Sequence, residues 1–171
     1  MSAPASDSRA TIDVMRQQAR MAHQVVRLNT DGISHEESLR QPLPAGNCLN
    51  WVVGHLVAIY HRALPLVGQT PVMPAGSIAP YDRGSPPLGA AADAIPFSDL
   101  LAAWEESSRR FDAGLADMAT DALAAPAPIS PSDDPNETIG SLLSTISWHQ
   151  AYHAGQTGIL RRLAGREGAI R

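Results

Sequence analysis

The chain has 171 residues, a net charge of −4, one cysteine and no lysine, its thirteen basic residues all being arginine. That length suits one domain, 1–171, with a core of its own. The charge argues against a nucleic-acid binder, which needs a basic face; the single cysteine excludes an internal disulfide and points to a reducing compartment.

The first residues carry no apolar run of the kind found in a signal peptide, and no eighteen-residue apolar stretch exists to cross a bilayer. A cytoplasmic protein with no membrane partner is expected. The first helix is predicted over about 8–31, where Ile12, Met15, Ala19, Ala22, Val25 and Val26 recur at three- and four-residue spacing and Asp31-Gly32 stops the run. Ser34 and Glu37 form a capping box for a single turn, which Pro42, Pro44 and Gly46 then break. A second helix is expected over 47–66, with Asn47 as its N-cap and Leu49, Val52, Val53, Leu56 and Ile59 on its apolar side.

From Val67 to Pro96 six prolines and four glycines leave little periodicity, so a long crossover or a lid is expected there. A third helix follows over 98–123, capped by Ser98, with Leu100, Leu101, Trp104, Phe111, Leu115 and Met118 buried. After the breaker-rich stretch Pro126–Pro135, a fourth helix runs over 138–164 from Thr138 to Gly165. Four helices, no strand pattern and no repeat describe an all-α four-helix bundle with a long crossover between helices two and three.

The chemistry concentrates on the fourth helix. His149 and His153 are one turn apart, about 40° round the axis and about 6 Å along it, so both imidazoles can reach one cation. Their stripe holds Leu142, Thr145, Ile146, Tyr152, Gln156, Leu160 and Leu163 and is expected to face inward, with Ser147, Gln150, Arg161 and Arg162 outward. A helix offers only two ligands in this way, and His55 on the second helix is the best third. Three nitrogens suit zinc, nickel or ferrous iron and leave a position open for water or substrate.

Around this centre, Arg62 lies on the His55 side and is expected to hold a carboxylate of a ligand, or else to be a solvated helix-end arginine. Gln156 is expected to orient bound water or the neighbouring helix, and Trp51 and Tyr152 to form pocket wall. Cys48 reads as a small apolar residue too far from His55 to share its ion, His61 should face elsewhere, and His23 and His35 should be exposed or singly hydrogen-bonded. Gln150 stands where a His-Glu-x-x-His protease carries its glutamate, which excludes that mechanism. A fourth protein ligand, Asp82 or Asp93, would make the site structural instead.

Two stretches together, Pro42-Leu43-Pro44-Ala45-Gly46-Asn47 leading into Trp51-x-x-x-His55-Leu56, and His149-x-x-x-His153-x-Gly155-Gln156 followed by Leu160-Arg161-Arg162, resemble the DinB/YfiT-like superfamily of metalloenzymes. The likeness extends over about residues 8 to 165. It implies the bundle with its long crossover, a divalent metal on His55, His149 and His153, and a homodimer. Family members with known activity are thiol-dependent: bacillithiol S-transferases and mycothiol-dependent maleylpyruvate isomerases, with related domains in ergothioneine biosynthesis. The resemblance therefore implies a transferase that joins a low-molecular-weight thiol to a small electrophilic substrate at the metal. A metal-dependent hydrolase and a non-enzymatic metal- or ligand-binding stress protein are the alternatives.

Overall fold

A computed structural model describes residues 5–43, 45–88 and 94–170. Pro44 and Asp93, both singled out above, lie outside these residues. The regular elements among the described residues are all helical. Its long members are α1 (Ala5–Thr30), α3 (Leu49–Ala63), α5 (Phe97–Asp117) and α6 (Ile139–Leu163), with single turns α2 (His35–Ser38) and α4 (Ala75–Ile78) between them. The one extended pairing among the described residues is an isolated antiparallel bridge between Pro126 and Thr138.

Local chemistry sets most of the ends. Gly32 follows α1 at φ +70° and Gly165 follows α6 at φ +85°, a region that costs a residue with a Cβ about 1–2 kcal/mol. Ser34 and Glu37 close their capping box around α2, and Thr138 forms one with Ser141 at the start of α6. Two caps differ from expectation. Cys48, not Asn47, is the N-cap of α3, with no side-chain bond, and α5 starts after Pro96, so that Ser98 lies inside its first turn and bonds Asp99. α5 also ends at Asp117, six residues early, because Met118 turns extended and Arg9 of α1 donates to the carbonyls of Ala116 and Met118. Residues Thr120–Ala124 continue only as a 3₁₀ turn. At the end of α3, Pro65 is accommodated by a further 3₁₀ turn, Leu64–Val67.

Arginine does the same work at other ends. Arg40 donates to Ala164 O at the end of α6, and Arg161 to Asn29 O and Asp31 O at the end of α1, satisfying carbonyls that a helix leaves unpaired. α1 and α3 each pack on both α5 and α6. Ile12, Val26, Leu49, Val53, Leu56, Trp104, Phe111, Leu115, Leu142 and Leu143 belong to one connected buried core between them.

The segment between α3 and α5 carries more structure than its composition suggested. α4 runs straight into a 3₁₀ turn, Ala79–Tyr81, and both pack against α3. Tyr81 is fully buried, and its ring occupies the space above Gly54, where a Cβ would stand 2.1 Å from a ring carbon. Its hydroxyl donates to Asn50 Oδ1 and accepts from the Ile95 amide. The crossover is thereby fastened along the helix that carries His55.

Candidate metal centre

α6 buries Leu142, Ile146, His153 and Leu160 of the expected stripe, but its buried face is turned further round the axis than expected. Gln150 is 1% exposed and Ser147 is buried, whereas Tyr152 is 54% exposed and Thr145 and Leu163 are exposed as well. The buried line runs through Leu143, Ser147, Gln150, Ala154 and Thr157. Ser147 and Thr157 enter the core because their hydroxyls bond backward to Leu143 O and Ala154 O. Gln150 has no partner for either amide atom among the described residues. At about 100° per residue the two histidines sit roughly a quarter turn off this line, at the edge of the core.

That edge position lets α3 meet them. His55 Nε2 lies 3.3 Å from His149 Nε2, which lies 3.1 Å from His153 Nε2. All three donor atoms fall within 4.8 Å of one another. Ligands about 2.0–2.1 Å from a tetrahedral ion stand about 3.3 Å apart, so this spacing fits a divalent cation of the zinc, nickel or iron class.

The proton inventory points the same way. His55 Nδ1–H donates to the Tyr81 carbonyl at 2.7 Å, and a carbonyl can only accept. His153 Nδ1–H donates to Gln156 Oε1 at 2.7 Å. Both Nε2 atoms are therefore bare lone pairs, aimed at a third nitrogen that has at most one proton to offer. His149 Nδ1, buried, has no partner among the described residues. A shared cation satisfies three acceptors that no arrangement of protons on these rings can satisfy.

Burial keeps the rings neutral and ready to ligate. Desolvation pushes His153 down to about 4, against the bond it donates to Gln156, and pushes His149 down to about 4 with help from the neighbouring rings and from Arg83. His55 is also lowered by burial, opposed by its bond to Tyr81.

Trp51 stacks flat on His55, with centroids 4.7 Å apart and planes 12° apart, and its Nε1–H donates to Ser85 Oγ. It lines the larger cavity and braces the His55 ring. Gln156 Oε1 accepts from His153 Nδ1–H. Tyr152 meets His153 edge-on at 5.0 Å and accepts from Gln156 Nε2, from a position open to solvent. Arg62 is half exposed and held by Asp82 at 2.6 Å, so each of these two groups is engaged by the other. The buried Cys48 thiol is pushed up by desolvation. His61 turns away to Met73 O, and His23 and His35 make single bonds, to Glu105 and from the Phe97 amide.

Two cavities meet at the histidines. One, about 830 Å³, is walled by Trp51, Trp148, Tyr152, Gln156, Ile159 and Leu160. The other, about 270 Å³, is walled by Ile59, Leu66, Ile129, Leu142 and Ile146. His55, His149 and Arg83 line both. Tyr81 and Arg83 are the residues that sequence reasoning missed; the sole local trace was Gly54, a residue with no helix-forming advantage in the middle of α3.

No curated protein matches the chain. A crystal structure of a conserved protein from Enterococcus faecalis aligns at a TM-score of 0.68, covering 89% of this chain and 95% of that one at 15% identity, a likeness of fold alone. The model of the DinB superfamily matches residues 16–157, a span that contains the three histidines and the walls of the smaller cavity, and the chain belongs to that superfamily.

Proposed function

We propose that this protein is a metal-dependent enzyme that transfers a low-molecular-weight thiol to a small electrophilic substrate. His55, His149 and His153 hold one divalent cation. The observation that carries the reading is the convergence of their three Nε2 atoms at the junction of two cavities. A transfer needs room for two molecules beside one reactive point, and the cavities flank the histidines in that way. When bound, a divalent cation supplies Lewis acidity that lowers the pKa of a coordinated thiol toward neutrality.

The chain's own part is preparation. Burial keeps three imidazoles uncharged, the Tyr81 carbonyl and Gln156 fix two of their tautomers, and Trp51 holds the His55 ring in plane. Apolar walls in the smaller cavity shield an electrophile from water. Hydrolysis is favoured less, because it asks for a carboxylate base and no Asp or Glu among the described residues lines either cavity. A purely structural ion is favoured less too, since Asp82 is taken up by Arg62.

A homodimer fits the outer side of α6, where Trp148 is 66% and Ile159 70% exposed in line with Tyr152 and Leu163. Among the described residues no helix is long and apolar enough to cross a membrane.

The test has two stages. Purified protein should carry about one divalent ion per chain, and His153→Ala should lose it; metal retained by that variant would mean the ligands are misassigned. Loaded protein should then consume bacillithiol, mycothiol, glutathione or coenzyme A in the presence of a model electrophile. Inactivity with all four while the ion stays bound would leave a metal-binding protein and remove the transferase.

A further inference from the structure

The cavities that meet at the histidines contain one exposed cationic side chain, Arg83, with no hydrogen-bond or ion-pair partner among the described residues. Arg9, Arg16, Arg40, Arg62, Arg110 and Arg161 all donate to carbonyl or carboxylate oxygens. Arg83 makes no hydrogen bond or ion pair among the described residues, yet it lines both cavities.

Its backbone is anchored on both sides. Two residues before it, the Tyr81 carbonyl receives His55 Nδ1–H and the Tyr81 ring is packed over Gly54. Asp82 is paired with Arg62. Two residues after it, Ser85 Oγ receives Trp51 Nε1–H, and the Ser85 amide bonds back to Asp82 O to close the turn. A turn anchored at these points carries a free guanidinium at its apex, so little ordering is needed when a ligand arrives.

The surroundings select the charge of that ligand. The chain has 17 acidic residues against 13 basic ones, yet none of the acidic residues among the described ones lines either cavity. The charged side chains that do line them are Arg83 and the Asp82-paired Arg62, and a divalent cation on the histidines would add positive charge.

We propose that Arg83 is a specificity-determining residue that receives the carboxylate of the small molecule bound at the histidine centre. The planar guanidinium matches a carboxylate with two parallel hydrogen bonds. Because Arg83, His55 and His149 border one junction, the carboxylate and the group that approaches the histidines belong to one short molecule. Ile59, Leu142 and Ile146 beyond the junction suit an apolar substituent on it. This assignment rests on the metal-centre reading for its second contact but not for its first.

Trp51 and Trp148 border the larger cavity, so tryptophan fluorescence reports its occupation. Wild-type protein, Arg83→Gln and, as a control outside both cavities, Arg27→Gln are titrated with 3-mercaptopropionate and with its uncharged amide, metal-free and loaded with Co(II), whose absorption separately reports a thiol at the ion. The acid should bind wild type and Arg27→Gln at least about tenfold more tightly than the amide, in both forms, and Arg83→Gln should lose that preference. Equal affinity of acid and amide for wild type, or a preference that survives Arg83→Gln, overturns the proposal. Failure to take up Co(II) would instead overturn the metal reading, while the metal-free titration still decides the role of Arg83.

Discussion

Gly54→Ala tests the link between the crossover and the metal ligand. The new Cβ would lie 2.1, 2.4 and 2.6 Å from three carbons of the Tyr81 ring, where ordinary carbon contacts are about 3.5–4.0 Å. The ring cannot slide by the necessary ångström or more, because it is fully buried and held at its hydroxyl by Asn50 and Ile95. It must leave its seat. Exposing an aromatic side chain costs about 2–3 kcal/mol and two hydrogen bonds about 1 kcal/mol each. Replacing glycine by alanine within a helix returns about 1 kcal/mol. The net loss is about 3 kcal/mol, a fall in Tm of about 6–12 °C for a chain of this size. The Tyr81 carbonyl leaves with the ring, His55 loses the acceptor that fixes its tautomer, and zinc affinity should drop about 10–100-fold. Thermal melts by circular dichroism and zinc competition against a chromophoric chelator measure the two effects. Tyr81→Phe keeps ring and carbonyl, so it should lose some stability and no affinity. Gly54→Ala with unchanged Tm would refute the packing, and lost stability with unchanged affinity would refute the role of the carbonyl.

Three further outcomes are expected. In metal-free protein His149 and His153 titrate near 4, against about 6.5 when unfolded, so between these values the unfolded chain binds more protons. Stability should therefore rise with pH across that window, by at most about 2.7 kcal/mol per unit for two protons, and level off above it; urea midpoints equal at pH 5 and pH 7 would contradict this. Gln156→Leu strands His153 Nδ1–H and should weaken zinc binding about tenfold in the same competition assay, whereas Gln156→Glu should retain it. Gln150→Leu removes two buried amide atoms that have no partner, so it should leave metal affinity untouched and hold or raise Tm; a loss beyond about 1 kcal/mol would show that the amide is satisfied.

The pairing of His149 with His153 was legible because a helix makes it local: four residues bring two rings together whatever the helix packs on. The depth at which they sit was not. α6 is apolar on two sides, with Trp148, Tyr152 and Ile159 outward and Leu143, Ile146 and Ala154 inward, and periodicity cannot rank two apolar stripes. Ser147 added to the error, since a hydroxyl that bonds its own helix behaves as a small core residue. The crossover was legible as a segment and opaque in its contacts. Tyr81 reaches His55 across 26 positions and Ser85 reaches Trp51 across 34, through a stretch with no period to read. His55 was legible as the best third ligand for a pair that one helix cannot complete; the groups that aim it were not, because no local rule connects them to it.

The placement of the ligands at the edge of the core follows from two opposed demands. Histidines on the line of Gln150 and Ala154 would be sealed against α1 and α3, with lone pairs that no small molecule could reach. Histidines on the line of Trp148 and Ile159 would be hydrated, protonated near neutral pH and free to rotate. At the edge, one side of each ring is desolvated enough to stay neutral, and Tyr81, Gln156 and Trp51 restrain the rings from the protein side. The price is a cluster of mutually facing acceptors in a chain that otherwise satisfies most of its buried polar atoms. Such a local conflict persists where function requires it. Here it also makes the empty site acid-labile and gives a cation its leverage, because binding N and not the unfolded chain stabilises the fold by RT ln(1 + [M]/Kd). Stability and ligand access are thus set by the same quarter turn of α6.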